Sequence, residues 1–173
     1  MAPTLNRSLA DLGALLHLVD PTLPIGGFNH SNGLETFVQQ GVVSTKPSLE
    51  EYVQAQLLQN WVYNDGAYLS LAFEAMATND FDRLCELDHS LSATKIARES
   101  REGSFKLGLR LLKIFIRYEQ HPMLIQFQQA IQNKTVQGYF PIVFAMVAQA
   151  MGLSKADTLY AFYYNAAVGT ITN

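Results

Sequence analysis

Residues 21–35 read Pro21-Thr-Leu-Pro24-Ile-Gly26-Gly27-Phe28-Asn-His30-Ser31-Asn-Gly33-Leu34-Glu35. Two prolines and a glycine pair within seven residues exclude a helix. Proline lacks the amide hydrogen a helix needs, and paired glycines supply a permissive turn beside that stiff one. The stretch is therefore a loop, and the chain on either side reads as helix. Upstream, Leu9, Leu12, Leu15, Leu16 and Val19 recur at spacings of three and four. They predict one apolar helix face, capped at its start by Ser8 and ended by Pro21 and Pro24. Downstream, a short helix is predicted from Asn32 to about Gln40, with Ser31 as its cap, Glu35 in its first turn and Gly41 as its stop.

The helical period continues along the rest of the chain. Ser48 and Glu51 have capping-box spacing, predicting a helix from there to about Tyr63. Asn64-Asp65-Gly66 is expected to break or kink it before a further helix reaching Met76. Asn79 or Asp80 caps the next, which carries Phe81, Leu84, Leu87 and Leu91. The longest periodic run is Lys95 to Tyr118. Gly103 and Gly108 inside it each cost about 1 kcal/mol relative to alanine, which points to a close helix contact or a bend. Pro122 and Pro141 open further helices in first-turn positions. Gly152 closes the second of these, and Ser154 with Asp157 starts the last. No segment alternates as a strand does. The expected fold is all-α: one domain over residues 1–173, a compact bundle of about eight to ten helices.

Composition narrows the function. Charged residues make up 16% of the 173 residues against 49% hydrophobic. An average soluble chain carries about 25% charged residues, so part of this surface is expected to lie against a partner or a second copy. The net charge of −3 argues against nucleic acid and an anionic membrane surface. One cysteine, Cys85, excludes a disulfide framework and a CxxC zinc site. No signal peptide or spanning segment is apparent, so a cytoplasmic protein is expected.

Catalytic signatures are missing: there is no GxSxG, HExxH, GxGxxG or GxxxxGK[ST]. Cys85 and His89 lie four apart on a predicted helix and share a face, a weak metal pair without further ligands nearby. His17 is expected to pack on a helix flank, and His121 to sit at a helix end. Glu99 and Glu102 share a face at spacing three, which reads first as a solvated face. Acid–base work would require an apolar cleft around them.

The loop resembles the signature of the UreF family of urease accessory proteins, roughly P-x-[LF]-P-[IVT]-G-[GA]-F-x-[HY]-S-x-G-L-E. Pro21, Pro24, Gly26, Phe28, Ser31, Gly33, Leu34 and Glu35 meet the fixed positions, and His30 takes an allowed choice. Asp65 resembles the family's mid-chain aspartate. Glu99, Arg101, Ser104 and Gly108 resemble its E-x-R-x-x-S-x-x-x-G segment. Phe140 to Phe144 with Gly152 resembles its late helix, and Ala145 stands where many relatives carry glycine. The family's pattern continues past the equivalent of Asn173, through a tail it uses to bind a companion accessory protein.

The resemblance implies a non-catalytic, all-α and commonly dimeric adaptor. It would work with UreD/UreH and the GTPase UreG on the urease apoprotein and assist nickel insertion. It implies no stably bound cofactor: nickel is handled by the complex, and GTP is bound by UreG. Under it the loop Pro21, Pro24, Gly26, Gly27, Phe28, His30, Ser31, Gly33 and Glu35 is an interaction element. Glu99 and Arg101 are candidates to pair with partner charges or with the loop, and His30 joins Cys85 and His89 as a weak metal candidate. The alternative is a direct nickel-binding carrier. A third reading is a helical enzyme using Glu99 and Glu102 in a cleft.

Overall fold

The computed structural model describes residues 8–26 and 33–172. Among these, the secondary structure is helical, with no strand: α1 (Leu9–Leu18), α2 (Leu34–Gln39), α3 (Lys46–Ala55), a π-helical segment (Gln56–Gly66), α4 (Ala67–Ala77), α5 (Phe81–Thr94), α6 (Arg98–Phe115), α7 (Pro122–Gln132), α8 (Phe140–Ala150) and α9 (Lys155–Thr172). The all-α expectation is met.

The centre is α8. Pro141 through Ala148 are buried without interruption, as expected of a helix apolar on every side. Its flanks are α4 and α6. Leu69, Ala72 and Met76 face it from one side, and Leu111, Leu112 and Phe115 belong to the same core on the other. Phe144, Phe140 and Phe162 form an aromatic cluster joining α8 to α9, with centroid separations of 5.5–5.8 Å. Ala145 is fully buried.

Gly108 explains the close contact predicted for α6. A Cβ there would stand 2.1 Å from the Gly138 carbonyl oxygen and 3.0 Å from the Phe140 amide nitrogen. Backbone meets backbone at this crossing, and only hydrogen fits. Ser104, one turn earlier, accepts the Phe140 N–H at 3.3 Å.

Several local predictions need correction. The helix after residue 44 begins at Lys46, not Ser48. Thr45 is the cap, and Thr45 and Ser48 form the reciprocal box. Pro47 decides this, because its fixed φ suits the first turn and its missing N–H is not needed there. Asn64-Asp65-Gly66 does not break the helix; the backbone passes through it as the end of the π-helical segment and continues into α4. The long helix starts at Arg98 rather than Lys95, which is the C-cap of α5. The cap of α2 is Gly33, at φ 92°, and Leu34 is its first residue. The apolar stripe of α1 is not one buried face. Leu18 is buried and Leu15 and Val19 pack on the core, but Leu9, Leu12 and Leu16 are exposed. Apolar residues cover too wide an arc of α1 for a single contact to bury them all.

Other predictions hold. Ser8 caps α1 in a box with Asp11, Asp80 caps α5, and His121 caps α7 by accepting the Met123 N–H at 3.2 Å. Gly41 and Gly152 take φ values of 72° and 76° just past their helices.

Candidate functional site

The two sequence motifs meet across an open cleft of about 1050 Å³. Asp20, Pro21, Leu23, Ile25 and Gly33 reach it from the loop, and Glu99, Ser100, Gly103 and Ser104 from the start of α6. The far wall is the π-helical segment, with Gln56, Asn60, Trp61, Asn64 and Asp65, and α9 closes one end with Asn165, Val168 and Gly169. The wider π turn, with its i to i+5 bonding, matches the four- and five-residue returns of these wall positions. Trp61, the sole tryptophan, is buried there.

Paired side chains brace the corner between α5 and α6. Lys95 Nζ donates to Asp65 at 2.7 Å, and both side chains are largely buried. Thr94 Oγ1 donates to the Asn64 side-chain oxygen at 3.1 Å. Arg101 Nη1 donates to the carbonyls of Lys95 and Ile96, each at 2.7 Å. Arg101 thus satisfies the end of α5, where carbonyls lack helical partners, and its contacts are with that corner rather than with the loop. Glu99 is exposed on the cleft wall. Glu102 turns away to Arg98 at 2.6 Å and Lys106 at 3.4 Å. The hydrogen bond and charge of Arg98 hold its carboxyl below the ordinary range. Glu99 and Glu102 are therefore not an acid–base pair in one pocket.

The described part of the loop is anchored from its base. Asp20 accepts both the N–H and the hydroxyl of Thr22 at 2.7 Å, which lowers its pKa. Leu23 is buried, whereas Pro21 and Pro24 are exposed. Arg110 Nη1 donates to the Ile25 carbonyl at 2.9 Å. Gly26 sits beside that guanidinium at φ 78°, and a Cβ would meet Nη1 at 2.3 Å. Glu35 lies in the first turn of α2, where a negative charge is favoured. Gly27, Phe28, His30 and Ser31 lie outside the described residues.

The candidate metal ligands are placed as follows. His89 Nε2 donates to the Thr135 carbonyl at 2.5 Å. Burial, and then Asp88 and Asp82, push the Cys85 thiol upward, away from the thiolate that binds metals. Among the described residues no group of three or more His, Cys, Asp or Glu side chains could hold a metal ion. His17 packs on Phe115, ring centroids 4.9 Å apart.

Sequence reading missed Asp88. It is fully buried in α5 and accepts the N–H groups of Gln137, Gly138 and Tyr139 at 2.6, 3.0 and 2.9 Å. Burial raises its pKa and the three N–H groups pull it back, with a net upward shift. Asp88 thereby fixes the turn that meets Gly108. An aspartate between Leu87 and His89 carries no local signal of a partner fifty residues away.

These observations define an all-α scaffold whose two motifs gather on one open cleft and whose helices carry exposed apolar residues. The UreF family model matches residues 43–173, and the chain belongs to the UreF family. It is 84% identical over 173 residues to the urease accessory protein UreF of Haemophilus influenzae (strain ATCC 51907 / DSM 11121 / KW20 / Rd), covering all of this chain and 74% of that protein. It is 78% identical over 165 residues to the protein of the same name from Actinobacillus pleuropneumoniae serotype 5b (strain L20), 95% of this chain and 73% of the relative. Against the one from Bacillus sp. (strain TB-90), identity is 34% over 160 residues, covering 92% and 69%. As a member of this family the chain is an accessory protein, not an enzyme. No helix among the described residues is long and apolar enough to cross a membrane.

Proposed function

We propose that this chain is an adaptor in urease maturation: it joins UreD/UreH and the GTPase UreG on the urease apoprotein, assists nickel insertion and modulates the GTPase, working as a homodimer in the cytoplasm. Nickel is cargo of the assembly and GTP is the ligand of UreG. The observation that carries this reading is the cleft itself. Residues far apart in sequence, Pro21 and Gly33 on one side and Glu99 and Ser104 on the other, line one trough whose braces are spent on its own walls. A volume of about 1050 Å³ is at the upper limit of small-ligand pockets, and an open trough suits a polypeptide segment.

The surface supports a life in complexes. Leu9, Leu12 and Leu16 on α1, and Tyr160 and Tyr164 on α9, are exposed. The two tyrosine rings stack at 6.4 Å. Aromatic and leucine side chains of this kind are what interface cores bury.

The test is co-purification with UreD/UreH and UreG by size-exclusion chromatography with light scattering. This chain and the longer Haemophilus relative are run side by side. The reading expects a stable complex with at least one of them, and Glu99→Arg to weaken it. No complex with either would end the adaptor reading and favour a direct nickel carrier, for which nickel titration of Cys85→Ser and His89→Ala variants is the next measurement.

A further inference from the structure

A second hollow of about 400 Å³, sharing no lining residue with the cleft, is formed by Pro24, Arg110, Lys113, Ile114, Arg117 and Tyr118. Three of its residues are cations and none is a carboxylate. They stand together on a chain whose net charge is −3. Elsewhere Lys46, Arg83, Lys95, Arg98, Lys106 and Lys155 each hold a carboxylate, Arg101 is bonded to backbone carbonyls, and Lys134 stands apart from any other such cation in the sequence. Arg110, Lys113 and Arg117 hold no carboxylate among the described residues, and all three are exposed. Arg110 is positioned rather than neutralised, because its Nη1 bond goes to the neutral Ile25 carbonyl.

Arg110 and Lys113 stand three apart on the last turns of α6 and so share a side of it, and Arg117, in the turn just after the helix, borders the same hollow. Pro24, half-buried Ile114 and exposed Tyr118 supply apolar surface among them. Arginine forks match carboxylates bidentately, and arginine and tyrosine are the side chains most often found at the energetic centres of interfaces. Three cations on an acidic chain are too short a track for a nucleic-acid backbone, which is bound through many phosphate contacts.

We propose that this hollow is a docking site for an acidic segment of a protein partner, carboxylates on Arg110, Lys113 and Arg117 and an apolar side chain against Ile114 and Tyr118. The site is separate from the cleft and does not depend on what the cleft binds.

The test is fluorescence anisotropy of a fluorescein-labelled peptide of repeated Glu-Glu-Leu units titrated with the 173-residue chain. The measurement is made at about 50 and 300 mM salt, which brackets a strong change in screening. The expected result is binding that weakens with salt, falls by about tenfold or more in K113E/R117E, and is not seen with a Lys-Lys-Leu peptide. Lys113 and Arg117 are exposed, so the double variant should fold; K113Q/R117Q, with a smaller expected loss, covers the case in which it does not. Equal binding by wild type and variants, or none at low salt, overturns the proposal. So does a lowered melting temperature with unchanged binding, which would reduce the cations to partners of the α6 dipole. Displacement by inorganic phosphate at the peptide's own concentration would make the hollow a small-anion site and also overturn it.

Discussion

Asp88 and Gly108 act on the same turn from opposite sides, and each can be tested by one substitution. Asp88→Asn keeps the shape of the side chain but turns an amide N–H₂ toward backbone N–H groups that need acceptors. Leaving buried donors unpaired costs about 1–3 kcal/mol, and urea denaturation should read a loss of that size. The pH dependence has a definite sign. The Asp88 pKa is raised in the folded protein, so between its ordinary and folded values the native state binds more protons than the unfolded state. The stability contribution is therefore greatest below the ordinary aspartate range and declines as pH rises through the folded value. The difference in stability slope between wild type and Asp88→Asn across that window should have this sign; a slope of the opposite sign would reject the assignment. Gly108→Ala should lose about 1–3 kcal/mol, as overpacked sites do, despite alanine's better helix propensity. The obstructing atom is a carbonyl at 2.1 Å, and backbone cannot swing aside. Melting of the variant above the wild type would show that the crossing relaxes.

The π-helical segment Gln56–Gly66 is the element whose form carries most of the cleft. Its final turn is held by Asp65 on Lys95 and Asn64 on Thr94. Removing one member of a desolvated ion pair strands the other, whereas removing both with apolar replacement costs much less. Asp65→Asn and Lys95→Met should each destabilise by about 1–3 kcal/mol, less than for a fully buried pair, and the double variant by less than their sum. Strict additivity in a double-mutant cycle would mean that the pair does not hold the segment. At the other end of the same continuous helix, Thr45→Ala removes the cap and should cost about 1 kcal/mol. Because α3 buries no residue, hydrogen exchange of the first-turn amides should register this more clearly than global unfolding.

At the scale of the molecule, two faces carry different chemistry. The cleft is a mixed trough walled by Trp61, Asn64 and Glu99, and the second hollow is cationic. Trp61 is the sole tryptophan and lines the cleft, so its emission is a direct reporter. A partner entering the trough should shift the Trp61 spectrum, and one binding only at Arg110, Lys113 and Arg117 should leave it unchanged. Titration with purified UreD/UreH, with and without Glu99→Arg, separates the two. A complex that forms without altering Trp61 emission would place its contacts outside the cleft.

The helices were legible in the sequence because a 3.6-residue apolar period, prolines in first turns and glycines past helix ends are local signals. Ser8, Asp80, His121, Pro122, Pro141 and Gly152 all sit where such rules put them. The resemblance of residues 21–35 and 99–108 to one family was equally legible, since it rests on residue identity alone. Pairing across the fold was not. That Asp88 serves Gln137 to Tyr139, that Arg101 closes α5, and that Arg110 reaches Ile25 are contacts between residues whose neighbours in sequence give no sign of them. The same holds for the exposed side of α1 and for the π turn at residues 56–66. A one-dimensional pattern records which residues are apolar, but not which arc of a helix its neighbours cover. The sequence by itself determined an all-helical accessory protein of the UreF family. Only the tertiary structure decided that its two motifs share a cleft, because a cleft is made by the space that packed helices leave between them.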